Sequence, residues 1–487
     1  MKKIVFGLVA VAVLVSACAK NVVPSTEQLR ADDQQVIDEQ PADEGIPFRA
    51  VVSHGDIKVK AVADAGTTIT TSWAETEEIA LIYSVSGTPT KTVATISDVD
   101  GSGNATISAT LNSGVANGAD VTLIYPASAA DGTTGNILAS VISTQDGTLS
   151  VGRDIRKGTG KITNDGVSAS LAAGASVPAQ YAILKLDIKD VDASNSLDVS
   201  SLVIKDDSDI IATVTPGSAT NTLYVTLPAT SGTLWFEGVV SGHKYVAKGS
   251  AALSAGYFYR PTVKLATVFN VIGADGKFYK DKAGAVAAST TAAAIIAYVG
   301  DDTAEDGFAH GLALSMKNAL NGSYSTMRWK DSGSGVDNPA QYSAPDYAYA
   351  AKESGRALSI TKNNSNYPAF QAAISNSFTV ESGLSTAAPS GTSGWFMASL
   401  FQWNQIIKSI SRSDLNLSTV TQNALKRDAY NSDLAAAGVS YSALLETYYD
   451  TSTESDKDYN WCYEPNAGKV SVNYKSSYHA VRSVLAF

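Results

Sequence analysis

Between residues 48 and 266 the chain repeats one local pattern: a short run of Val, Ile, Thr and Tyr, then a cluster of Gly, Asp, Asn and Ser. The runs "TTITTSW", "EIALIYSV", "DVTLIYPA", "YAILKLDIK", "TLYVTLPA", "TLWFEGVV" and "YFYRPTVKLA" recur at spacings of about ten residues. No stretch there carries a helical period of useful length. Alternating runs this short, punctuated this regularly, predict antiparallel β-sandwiches. A change of rhythm near "DIRKGTGKIT" divides the region into two modules, 48–150 and 151–266.

After residue 267 the pattern changes. "AGAVAASTTAAAIIAYVG" begins as an Ala-rich helix and turns into a strand, and "GFAHGLALSM" reads as a strand. "PAFQAAISNSF" and "SLFQWNQIIKSI" place apolar residues at helical spacing. "VTQNALKRDAYNSDLAAAG" predicts one or two helices closed by Gly438. Residues 267–487 are therefore expected to form an α+β domain. A chain of 487 residues exceeds what one core can hold, in keeping with several domains.

The start of the chain predicts export. Lys2 and Lys3 precede the apolar run "IVFGLVAVAVLV", too short to span a bilayer with ordinary flanks, so residues 1–17 read as a signal peptide. The run ends in "LVSAC", and small residues before Cys18 resemble the lipobox of bacterial lipoproteins. That resemblance implies cleavage before Cys18 and its acylation, with lipid as the membrane anchor. Residues 18–47 are polar and acidic, a tether or removable leader. With Cys18 acylated, Cys462 has no partner for an internal disulfide, and stability has to come from burial and sheet pairing.

Several motifs fail on their chemistry. "DVDGSGN" (Asp98 to Asn104) resembles a calcium loop, but Ala109 occupies the position that needs a bidentate carboxylate, so a hairpin turn is expected. In "GTGKIT" Ile162 stands where a phosphate loop needs a hydroxyl on Mg²⁺. His54, His243, His310 and His479 are scattered without metal-ligand spacing. Glu77 and Glu78 read as solvated, and no G-x-S-x-G or H-E-x-x-H is present. The expectation is a binding protein that uses no cofactor or metal, rather than an enzyme. A net charge of −11 argues against nucleic acid as partner.

The most distinctive composition lies near the end. Tyr448, Tyr449, Tyr459, Tyr463, Tyr474 and Tyr478 crowd together, interleaved with Ser and Asn, and "NYKSSYHA" lacks the period of a core strand. Tyr offers rigid amphipathic contact area at low entropic cost, so this strip is expected to be an exposed binding surface.

Two family resemblances follow. Over residues 1–266 the lipobox, "TSWAETEEIALIY", "LIYPA", "GTGKIT", "VPAQYAILKLDI" and "GYFYRPTVKL", in that order, resemble fimbrillin lipoproteins, the type V pilins. Thr76 and Glu77 stand where that family carries a Gly-Asp pair. The resemblance implies two fimbrillin/transthyretin-like sandwiches, transport as a lipoprotein, and removal of the leader by an Arg-specific protease at Arg49 or Arg30. Arg49 is preferred, because a strand-like segment follows it. Other pilus subunits would be partners by β-strand addition.

Over residues 267–487, "GADGKFY", "AIIAYVG", "HGLALSM", "SGWFMASLFQWNQI", "YDTSTES" and "VRSVLAF" resemble C-type-lectin-like domains of the formylglycine-generating-enzyme subtype. They are most similar to variable proteins of diversity-generating retroelements. Ala398, Asp450 and Ser483 stand where those have Pro, Trp and Pro. The resemblance implies that adenine-directed copying errors scatter the codons of a strip onto a fixed scaffold. Residues of the matching set are Asp456, Asp458, Tyr459, Asn460, Cys462, Tyr463, Asn466, Asn473, Tyr474, Ser476, Ser477, Tyr478 and His479, with Trp461, Gly468 and the closing strand as scaffold. Together the readings imply a pilus-tip adhesin at the outer membrane or cell surface, with a protein or glycan ligand. The alternative is a surface-anchored glycan-capture lipoprotein that keeps its lipid and feeds a nutrient importer.

Overall fold

The computed structural model describes residues 45–487, apart from 55–57, 60–72, 101, 151–152, 207–208, 333–334, 411–430, 433–434, 436–443, 445–447 and 466–468. Cys18, Arg30, Asn466 and Gly468 lie outside the described residues, as does nearly all of the helical stretch ending at Gly438.

Ile46–Ser53 shows how the first unit is built. Its burial alternates, with Ile46, Phe48, Ala50 and Val52 inward and Arg49 and Val51 outward. That period puts every second side chain into one core. The strand pairs antiparallel with Asn104–Leu111, from Ile46 opposite Leu111 to Ser53 opposite Asn104. From there the sheet runs through Thr88–Ser97, Glu78–Val85, Asp120–Tyr125, Arg156–Asn164 and Ala169–Leu171. Ala169 pairs back with Phe48, so the sandwich closes on itself around Trp73, Ile79, Leu81, Ile107 and Leu123. The "DVDGSGN" segment is the turn between two of these strands. Asp100 accepts from the Ser102 and Asn104 amides and from Asn104 Nδ2.

The boundary expected at 150/151 is corrected by this topology. Arg156–Asn164 pairs along Asp120–Tyr125, so "DIRKGTGKIT" lies inside the first unit. The rhythm breaks there for a packing reason. A Cβ on Gly158 would sit 2.3 Å from the Ser176 carbonyl oxygen, so the close approach of Ala175–Ser176 requires glycine.

The second unit is a two-sheet sandwich. One sheet holds Thr222–Leu227, Ala182–Asp190, Tyr257–Tyr259 and Thr262–Leu265. The other holds His243–Leu253, Thr230–Val240, Ser201–Asp206, Asp209–Val214 and, from an earlier part of the chain, Thr144–Gln145. Leu184, Leu202, Ile204, Leu223, Val225 and Phe236 fill the space between.

The region after 267 is α+β, as its sequence periods predict. Its six-stranded sheet runs Phe278–Tyr279, Val271–Gly273, Ala292–Val299, Gly311–Ser315, Ser483–Ala486 and Phe396–Met397. Helix Lys282–Ala287 is capped by Asp281, which accepts from the Gly284 amide at 2.8 Å. Helix Leu400–Ile410 lays Trp403, Ile406 and Ile407 into the main core. The closing strand is central and wholly buried, so its edges are not free for another chain. Beyond it, Phe487 and Trp235 of the second sandwich share an apolar cluster, and Trp235 stacks on His310 at 3.7 Å. His310 Nδ1 and Lys205 Nζ each lie 2.8 Å from Glu237 Oε1, which ties the sandwich to the last domain. Among the described residues no helix is long and apolar enough to cross a membrane.

Candidate functional site

Three strands carry the candidate site: Tyr449–Glu454, Tyr459–Glu464 and Lys469–Tyr474, followed by Tyr478–His479. The first is buried along its entire length, although it reads "YDTSTE". Most of its polar groups can occupy that place because they find partners, Ser452 Oγ and Asp450 Oδ2 being the exceptions. Thr451 Oγ1 donates to the Trp461 carbonyl at 2.8 Å, and Thr453 Oγ1 donates to Glu353 at 2.9 Å. The Glu454 carboxylate accepts from the Asp337 and Asn338 amides and from Lys475 Nζ.

Lys475 stands in the middle of "NYKSSYHA", yet only 3% of it is exposed. It pairs with Glu454 and, at 3.0 Å, with Asp337, and it donates to the carbonyls of Gly335 and Lys457. Burial pushes the Asp337 carboxyl up, but Lys330, Tyr367 and Lys475 outweigh it and hold the group below the ordinary carboxylate range. This network fixes the turn from which the aromatic residues project. Sequence reasoning missed it, because its members arrive from positions 337, 454 and 475.

The structure divides the strip by burial. Asp456, Tyr474, Ser476 and Tyr478 are exposed, while Asp458, Tyr459, Asn473 and Ser477 are half-buried. Asn460, Cys462, Tyr463 and His479 are buried, which takes these four out of the surface expected for the whole strip. The cause is packing beneath the sheet: Asn460, Cys462 and His479 converge on buried Asp450, and Tyr463 lies against Trp403.

On the exposed side, Tyr459 and Tyr474 are paired residues whose ring centroids lie 4.4 Å apart. A hydrogen bond from Tyr474 pushes the Tyr459 hydroxyl up to about 12, so Tyr459 presents a neutral hydroxyl at neutral pH. The Arg328 guanidinium lies 4.9 Å from the Tyr478 ring centroid, a cation–π contact that leaves 59% of Tyr478 exposed. The result is a polar aromatic surface on the paired strands Tyr459–Glu464 and Lys469–Tyr474.

Beneath it sits a polar cluster that sequence spacing did not reveal. Asp450 Oδ1 lies 2.8 Å from His479 Nδ1, 2.9 Å from Asn460 Nδ2 and 3.4 Å from Cys462 Sγ. Cys462 Sγ lies 3.5 Å from His479 Nδ1. Burial and the Asp450 charge push the Cys462 thiol well up, so without a bound cation it is neutral and a poor nucleophile. One thiol, one imidazole and one carboxylate within reach of a common point form a possible metal-ligand set.

Of the proposed processing residues, Arg49 is described. It lies mid-strand with its side chain outward, 2.8 Å from Asp98. A second surface bears on assembly. An apolar groove of about 550 Å³ opens in the second sandwich, lined by Leu184, Leu234, Phe236, Ala251, Tyr259 and Val263. Strand His243–Leu253 borders it as an edge, bridged to Ala266 at Val246 and joined to no other strand on that side among the described residues.

No protein-family model and no curated protein matches this sequence. Among solved structures, the chain is similar to a fimbrial protein from Bacteroides ovatus, with 13% identity and a TM-score of 0.28, over 92% of this chain and 100% of that one. It is also similar to a fimbrial assembly protein from Parabacteroides distasonis, with 10% identity and a TM-score of 0.27, over 45% of this chain and 90% of that one. At such identities and scores the likeness carries no role over to this chain.

Proposed function

We propose that this chain is a surface adhesin of fimbrial type, which presents its ligand-binding face on the hairpin Tyr459–Tyr474 and the turn to Tyr478. The observation that carries the reading is the exposure of Tyr474 and Tyr478, with half-buried Tyr459 against Tyr474, on strands whose underside is fixed by buried side chains. Exposed Tyr on rigid backbone binds protein or glycan surfaces at low entropic cost. The resemblance to retroelement variable proteins supports a diversified face, restricted to the exposed part of the strip.

Incorporation into a fibre is supported by the resemblance to fimbrillins and by the open edge beside the apolar groove, where an added strand gains main-chain hydrogen bonds and apolar contacts. The closing strand is held between Gly311–Ser315 and Phe396–Met397 and is not available to donate. In this reading the lipid on Cys18 serves transport, and cleavage at Arg49 releases Ile46–Arg49 from its place beside Asn104–Leu111.

The test is immunogold labelling of surface fibres together with analysis of the mature N-terminus. The expected result is label at fibre ends and a chain that begins at Ala50, with Arg49→Ala blocking both. A chain that begins at acylated Cys18 and labels only the envelope would refute the fibre reading in favour of glycan capture.

A further inference from the structure

We infer that Asp450, Cys462 and His479 form a zinc site behind the hairpin. The geometry is close to what zinc requires. With Zn–S of about 2.3 Å and Zn–N and Zn–O of about 2.0–2.1 Å, a tetrahedral site has S–N and S–O edges of about 3.5 Å. The observed separations are 3.5 Å for Cys462 Sγ to His479 Nδ1 and 3.4 Å for Cys462 Sγ to Asp450 Oδ1. The third edge, His479 Nδ1 to Asp450 Oδ1, is 2.8 Å, a hydrogen bond that opens by about 0.5 Å when both atoms turn to a metal.

The hydrogen bonding is lopsided in a way that a cation corrects. Asp450 Oδ1 is contacted by three partners, while Asp450 Oδ2, in a residue 1% exposed, has none. Buried carboxylate oxygens rarely go unpartnered. Asn460 Oδ1 and the Ser471 hydroxyl of the same sheet are likewise buried without partners. A metal ion would engage the carboxylate fully and supply positive charge. Asn460 Nδ2, 2.9 Å from Asp450 and 3.5 Å from Cys462, would donate to both anionic ligands, the outer support such sites use.

Zinc suits this donor set because it accepts thiolate, imidazole and carboxylate together. Binding deprotonates Cys462, and the thiol proton leaves to solvent. Three ligands leave a fourth position for water. The ligands come from Tyr449–Glu454, Tyr459–Glu464 and Tyr478–His479, so the ion would tie all three segments together beneath the Tyr459–Tyr474 pair.

The test uses reduced, untagged full-length chain carrying Cys18→Ser, so that Cys462 is its one thiol. Cobalt(II) titration is expected to give one ion per chain, with a thiolate charge-transfer band in the near ultraviolet and visible bands of tetrahedral intensity. Equimolar zinc should abolish both. His479→Gln should weaken binding by about tenfold or more, and Cys462→Ser should remove the charge-transfer band. Absence of that band in the parent chain at saturating cobalt would overturn the proposal, and so would a band that survives in folded Cys462→Ser. Should Cys462→Ser fail to fold, the parent's band still decides, since Cys462 is then the sole source of thiolate.

Discussion

Replacing Tyr474 by Ala separates a binding surface from an aromatic core. Tyr474 is 55% exposed, whereas Tyr463, on the neighbouring strand, is 2% exposed and lies 5.2 Å from the Trp403 ring centroid. Truncating a buried aromatic costs about 3–5 kcal/mol, so Tyr463→Ala should fall in that range. Tyr474 buries less than half as much and loses chiefly its ring contact with Tyr459, worth about 0.5–1.5 kcal/mol. Its truncation should therefore cost about 1–2 kcal/mol at most. Three units need not unfold together, so one global denaturation curve would mix them. Hydrogen exchange of the amides of Ser483–Ala486 reads the relevant domain directly. Tyr463→Ala should speed that exchange strongly and Tyr474→Ala only slightly, while ligand affinity should fall by about 30-fold for Tyr474→Ala if it is a hot spot. Equal acceleration by the two variants would refute the reasoning, because Tyr474 would then be part of the core.

Two further predictions concern the same domain. Burial pushes the Glu353 carboxyl up to about 7; the Thr453 hydroxyl opposes this and the Glu454 charge adds to it. A carboxyl raised in the folded state stabilises fully below its unfolded value of 4.5 and is lost as pH rises through about 7, so stability should fall across that window by an amount on the order of 3 kcal/mol. Glu353→Gln should flatten the slope, read from hydrogen exchange of the Ser483–Ala486 amides corrected for the intrinsic rate from pH 4.5 to 8, with a remainder from Glu305, which burial also raises; an unchanged slope would refute the assignment. Deep sequencing of the gene's 3′ end across a population should place substitutions at Asp456, Asp458, Tyr459, Asn473, Tyr474, Ser476, Ser477 and Tyr478, and spare Trp461, Lys475 and 481–487. Variation as dense at Trp461 or Lys475 as at Tyr474 would contradict a diversified face on a fixed scaffold.

The β-rich body was legible because burial on one side of a strand leaves a period of two, as in Ile46–Ser53, and helix Leu400–Ile410 was legible for the corresponding reason at 3.6. The division at 150/151 misled because Gly158 interrupts that period for the sake of a close strand approach, and a glycine demanded by packing looks like one that ends a module. The strip posed a different difficulty. Composition marks Asn460, Cys462, Lys475 and His479 as surface residues, yet each is buried by a partner distant in sequence: Asp450 for three of them, Glu454 and Asp337 for Lys475. Spacing rules find ligands carried on one element, whereas these ligands come from three segments and meet only when the hairpin is paired. Asp450 and Glu454 held the available signal, two acids in a strand that is otherwise aromatic or hydroxylated and that the fold buries completely. An unpaired carboxylate there would be costly, so the strand could be buried only if donors converged on it. Residues that look interchangeable along the strip are therefore of two kinds. Under the proposed function, those that reach solvent are the ones free to change with a ligand, and those that answer Asp450 or Glu454 hold the surface in place.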